Sequence, residues 1–121
     1  MARILVVDDE ISLREMVKEM LMMSEHDVDT AENGSEALEA IREKSYDMVI
    51  IDRNMPGMSG VDVIKMVRAN PKYEKLKIMM LTAASVTKEI DEAFAAGATG
   101  YIIKPLNIKQ LLDKVAAALK G

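Results

Sequence analysis

Apolar residues in this chain follow two rhythms. Ile4-Leu5-Val6-Val7, Met48-Val49-Ile50-Ile51, Ile78-Met79-Met80-Leu81 and Tyr101-Ile102-Ile103 are short continuous runs, the pattern of strands covered on both faces. Val28-Asp29-Thr30-Ala31 alternates instead, which predicts a fifth strand with one face less buried, at a sheet edge. Between the runs, apolar residues recur at helical spacing. They are Leu13, Met16, Val17, Met20 and Leu21, then Ala37, Leu38 and Ile41, then Val61, Ile64 and Val67, then Ile90, Ala93 and Phe94, and last Ile108, Leu111, Leu112, Val115, Ala116 and Leu119. The punctuation agrees: Asp9 or Ser12 is available to cap the first helix, Asn33-Gly34-Ser35 makes a turn, Pro71 ends the third helix at Asn70, and Gly97 ends the fourth.

Five strands alternating with five helices force parallel strands joined by right-handed crossovers, an α/β doubly wound sheet with helices on both faces. The carboxyl ends of all strands then gather at one edge, the place where open sheets of this type bind ligands. That edge collects Asp8, Asp9, Asp52, Thr82 and Lys104 from four strands that are distant in sequence. Asp52 ends the middle run and is followed by the turn-forming Asn54, Pro56, Gly57, Ser59 and Gly60. The segment 57–60 is expected to be a loop, since it fits neither GxxxxGK[ST] nor GxGxxG.

Composition narrows the function. A chain of 121 residues that is 50% hydrophobic matches one domain, 1–121. With a net charge of −4 and its 16 Lys and Arg dispersed among 20 acids, it has no surface suited to direct nucleic-acid binding. Zero Cys excludes disulfides and thiolate metal sites. No apolar run approaches the roughly 20 residues of a membrane span, and the apolar run after Met1-Ala2-Arg3 is too short for a signal peptide, so no membrane association and a cytoplasmic location are expected. The eleven Met beside one Phe and no Trp predict a flexible aliphatic core. His26, the sole His, is expected on a surface loop.

Carboxylates crowded together repel, and a protein resolves this by raising a pKa or binding a cation. Oxygen ligands without Cys or clustered His suit a hard ion, and a half-hydrated octahedral site suits Mg²⁺. Beside such an ion a phosphoryl group becomes acceptable, Lys104 and the Thr82 hydroxyl are the right types to hold its oxygens, and a carboxylate can serve as nucleophile. Asp52 is best placed for that.

Val6-Val7-Asp8-Asp9-Glu10, Asp52 with Met55-Pro56-Gly57 and Gly60, Leu81-Thr82-Ala83, Gly97-Ala98 and Lys104-Pro105 together resemble the receiver domain of two-component response regulators, especially the single-domain chemotaxis type, over essentially the whole chain. The resemblance implies a flavodoxin-like fold with strand order 2-1-3-4-5 and a phosphorylation-dependent switch. It implies that Asp52 accepts a phosphoryl group from a phosphohistidine on a sensor histidine kinase or phosphotransfer protein, and that the chain is not otherwise an enzyme. Asp9, Asp52 and the Asn54 backbone carbonyl would ligate Mg²⁺ directly, and Asp8 through water. Lys104 would pair with Asp52 or the phosphoryl group, Thr82 would bond a phosphoryl oxygen, and Tyr101 would swing inward behind it, changing the face of the fourth helix, fifth strand and fifth helix that a downstream protein target reads. The Lys104-Pro105 bond would be cis. Arg53, Asn54 and Ala84 occupy positions that tune phosphoryl lifetime, and the end of the chain after its last helix points to a stand-alone switch. Asp8-Asp9-Glu10 disfavours a flavin binder, which needs a Ser/Thr/Gly-rich cradle after the first strand. A phosphatase of the haloacid dehalogenase type would want DxDxT, which is missing. A degenerate receiver acting only as a scaffold remains the third alternative, disfavoured because every phosphorylation residue is present.

Overall fold

Alternating inward and outward side chains along five parallel strands build two separate apolar layers. The computed structural model describes residues 2–83 and 87–120. In chain order the strands and helices are β1 (Arg3–Val7), α1 (Ile11–Met22), β2 (Asp27–Ala31), α2 (Gly34–Glu43), β3 (Met48–Asp52), α3 (Gly60–Arg68), β4 (Lys77–Thr82), α4 (Thr87–Ala96), β5 (Gly100–Ile103) and α5 (Ile108–Lys120), with a 3₁₀ turn at Pro71–Tyr73. The sheet order is β2-β1-β3-β4-β5, and every pairing is parallel. The expected doubly wound architecture is therefore present, with the alternating strand at an edge.

Leu5, Val7, Val49, Ile51, Ile78 and Met80 point to one face and pack with α2, α3 and α4 through Ala37, Ile41, Val63, Ile64, Val67 and Ala93. Ile4, Val6, Met48, Ile50, Met79, Leu81 and Ile102 point to the other, against Val17 and Leu21 of α1 and Leu111 and Val115 of α5. This period of two is why the central strands read as continuous apolar runs: both of their faces are covered. Burying each such aliphatic side chain stabilises the fold by about 1.5–3 kcal/mol.

Several local expectations are corrected. Neither Asp9 nor Ser12 caps α1; the N-cap is Glu10, with no side-chain hydrogen bond, and the Glu10 N–H donates back to Asp8 Oδ1 at 2.9 Å. Asn33 is the N-cap of α2, accepting from Glu36 N, so Gly34 and Ser35 already belong to the helix. The loop after β3 stops at Ser59, which closes a capping box with Asp62, and Gly60 is the first residue of α3. Gly97 has φ 115°, the left-handed ending expected of it. Phe94, Ile108 and Ala116 lie outside the core, although their helical spacing suggested otherwise. The methionines divide: Met48, Met55, Met79 and Met80 are buried, while Met16, Met22, Met23 and Met66 are exposed. His26 lies in a loop as expected but is half-buried, its Nδ1 accepting from Ala2 N at 3.1 Å. Among the described residues, no helix is long and apolar enough to cross a membrane.

Candidate functional site

The register of the two central strands places the acids. β1 and β3 pair Val6 with Ile50 and Val7 with Ile51, so Asp8 and Asp52 follow as neighbours on the face that Val6 and Ile50 share. Asp8, Asp52 and Thr82 are the buried polar residues among those described, and all three lie at the carboxyl edge of the sheet. Burying polar and charged groups is costly, so the gathering of two buried carboxylates and a buried hydroxyl at one edge marks a place built for something other than stability.

One carboxylate oxygen from each of Asp8, Asp9 and Asp52 can be chosen so that all lie within 4.8 Å of one another. Asp9, next in the chain after the buried Asp8, is exposed. Burial pushes the Asp8 carboxyl above its usual range, with Asp52 and Asp9 adding repulsion; the hydrogen bond from Glu10 N and the Lys104 charge oppose this. One Asp8 oxygen is committed to Glu10 N. The other, Oδ2, is shut away from solvent and has no hydrogen-bond partner among the described residues.

Lys104, from the end of β5, reaches Asp52 Oδ1 at 2.9 Å, and the Lys104–Pro105 peptide bond is cis. Thr82 ends β4, and its carbonyl accepts from Lys104 N at 2.8 Å, which ties the two strand ends together. Asn54 is exposed two residues beyond Asp52, with its side-chain oxygen 3.4 Å from Arg53 Nη1. Tyr101 is set back on β5, half-buried, with its ring edge-on to Phe94 at 6.0 Å and beneath Lys114 Nζ at 4.1 Å. Ala84 lies outside the described residues. The expected site residues Asp8, Asp9, Asp52 and Lys104 are thus brought together, Thr82 borders them, and Tyr101 stands apart on the outer strand.

Two basic residues at this edge make contacts that the sequence reading did not foresee. Arg14 donates from Nη1 to the Asp8 carbonyl at 2.9 Å, bracing the backbone that carries the acids; within α1 it looked like one more polar-face charge. Arg53 sits 3.6 Å from Glu89 and 3.5 Å from Glu92 of α4, a pairing that no local pattern announces.

The donor set fits a hard divalent cation. It is all oxygen and carries three negative charges, and the unpartnered Asp8 Oδ2 is the atom such an ion, or water bound to it, would satisfy. Asp8, Asp9 and Asp52 are the groups able to hold it.

Comparison with known proteins gives this geometry a family. Residues 4–116 match the response regulator receiver domain. Chemotaxis protein CheY-3 of Vibrio cholerae is 38% identical over 117 residues, covering 93% of this chain and 90% of that protein. The DNA-binding response regulator MtrA of Mycobacterium leprae is 40% identical over 118 residues, which span 98% of this chain but 51% of that protein. The structure of chemotaxis response regulator CheY4 of Vibrio cholerae superimposes with a TM-score of 0.93 at 39% identity, covering 98% of each chain. The chain belongs to the response regulator receiver domain family, whose members are phosphorylation-dependent signalling proteins of two-component systems rather than classical enzymes.

Proposed function

We propose that residues 1–121 work as one receiver unit in the cytoplasm, with Asp52 as the phosphoacceptor and a sensor histidine kinase or phosphotransfer protein as donor. The observation that carries this reading is the Lys104 ammonium 2.9 Å from Asp52 Oδ1, beside a cluster of three carboxylates of which Asp8 and Asp52 are buried. An Asp52 oxygen attacks phosphorus, the new O–P bond forms as the donor's N–P bond breaks, and the imidazole departs as its nitrogen takes up a proton. Mg²⁺, held by Asp9, Asp52 and the Asn54 carbonyl and through water by Asp8, supplies counter-charge for the crowded oxygens when bound. Lys104 holds the acceptor carboxylate in place and follows the charge onto the phosphoryl group. Thr82 donates its hydroxyl to a phosphoryl oxygen, and Tyr101 moves behind it, altering the face of α4, β5 and α5 that a protein target reads. Apart from accepting and hydrolysing its own phosphoryl group, the chain turns over no substrate.

Intact mass after incubation with Mg²⁺ and a small acyl phosphate tests the assignment. Wild type is expected to gain a single phosphoryl group and Asp52→Asn none, with both folded. A stoichiometric adduct on the Asn variant, or none on either protein, sinks it.

A further inference from the structure

The first half of α4 holds no fully buried residue among those described, and its one large apolar side chain, Ile90, is half-buried. The buried residues of this helix are Ala93 and Ala96, both in its second half. The stretch around Glu89 and Glu92 is instead reached by Arg53, the residue directly after Asp52. Its Nη1 lies 3.6 Å from Glu89 Oε1 and its Nη2 3.5 Å from Glu92 Oε2. Residues three apart on a helix sit one above the other, so one guanidinium fork spans both acids.

Arg53 is a firm anchor for such a bridge. Its backbone N–H donates to the Leu81 carbonyl at 2.8 Å, and its carbonyl accepts from Gly60 N at 3.0 Å. Its Nε is closed off from solvent and has no hydrogen-bond partner among the described residues. The side chain is 20% exposed, against 33% for Glu89 and 51% for Glu92. A seated guanidinium therefore holds two wetter carboxylates, and pairs of that exposure are weak enough for one nearby charge to reverse them.

We propose that Arg53 is a positioning residue of the switch: it clamps α4 through Glu89 and Glu92 to the phosphoacceptor loop in the unphosphorylated packing and lets go when Asp52 is modified. The inference rests on the reading of Asp52 as phosphoacceptor. Converting the Asp52 carboxylate to an acyl phosphate takes the charge there from −1 to about −1.5 to −2 and adds three strong acceptor oxygens, which compete with Glu89 and Glu92 for the guanidinium and repel both. With the clamp released, the half-buried Ile90 is the main apolar restraint on the start of the helix among the described residues, so the charge added at Asp52 becomes a change in α4.

Amide hydrogen exchange over Ile90–Ala93 tests this in wild type, in Arg53→Gln and in the double variant Glu89→Gln/Glu92→Gln, each with and without Mg²⁺ and a small acyl phosphate. The adduct is verified by mass. Phosphorylated wild type is expected to exchange roughly threefold faster in this segment. Both variants should show that rise before phosphorylation and little further rise after it, with α5 unchanged. High salt should speed exchange in wild type and leave the variants as they are, a response that a merely packed side chain would not give. If wild type forms the adduct yet either folded variant exchanges like unmodified wild type, the clamp is overturned while the receiver reading stands. If wild type forms no adduct, the receiver reading falls and takes the switch role of Arg53 with it.

Discussion

At the carboxyl edge of the sheet three carboxylates crowd within 4.8 Å of one another, whereas at the amino edge a cavity of about 780 Å³ is lined by Arg42, Lys44, Lys72, Lys75 and Lys77. The amino edge is rich in charge, yet several of its charged groups have partners. Lys44 lies 3.4 Å from Asp29, Tyr46 donates to the same carboxylate at 2.7 Å, and Lys72 stands over the Tyr73 ring at 5.5 Å. Basic side chains there also meet the carbonyl end of α2, which favours cations. At the carboxyl edge, by contrast, Asp8 is buried with one oxygen unpartnered. A site is marked by frustration between like charges held out of water rather than by the size of a cavity.

The comparison can be broken most severely at Gly60. A Cβ built there would strike the carbonyl oxygen of Asp52, a backbone atom with nowhere to go. Gly60→Ala should therefore lower stability by about 2–3 kcal/mol and reduce phosphoryl uptake as well, read from denaturant midpoints and adduct mass. Full stability with full uptake would mean that the acidic edge is less tightly built than its burial implies.

A smaller effect of opposite sign is expected at Asp8. Its folded pKa is raised, so the stability its protonated form provides is complete below the ordinary value of 3.8 and is lost as pH rises through the folded value. At neutral pH without Mg²⁺, Asp8→Asn should thus stabilise the fold by about 1 kcal/mol. Wild type should gain melting temperature on adding Mg²⁺ and the variant much less. Equal Mg²⁺ responses would remove Asp8 from the metal site.

The smallest change belongs near the amino edge. The Asp29 carboxyl is lowered, first by the Tyr46 hydroxyl and also by Lys44. Its contribution is present above 3.8 and is lost as pH falls through the folded value. Asp29→Asn should cost about 0.5 kcal/mol at about pH 7, the modest worth of a partly exposed pair, and less at about pH 2.5. Urea midpoints at the two pH values check this, and phosphoryl uptake should not change.

Much of this was legible in the chain because parallel strands covered on both faces must be continuously apolar. Met48 to Ile51 announced β3 and ended on Asp52, so the acceptor candidate could be read from a run of five residues. The cap of α1 was not legible, since Asp8, Asp9 and Ser12 are all competent caps by type, and the outcome turned on Asp8 being drawn into the cluster instead. Phe94 was assigned to the core by spacing, yet α4 rotates it outward against Tyr101, because Ala93 and Ala96 let the helix lie close to its neighbours.

The sequence by itself determined the two rhythms, the alternation of strand and helix, the right-handed parallel sheet that follows, and the residue types at each strand end. These depend on near neighbours and on rules common to all chains of this kind. Only the tertiary structure decided that Asp8 is buried while Asp9 is exposed, that Arg53 turns to α4 rather than to solvent, and that Lys44 meets Asp29. Those outcomes depend on where separate helices dock across the sheet, and desolvation and pairing act only once the docking has occurred.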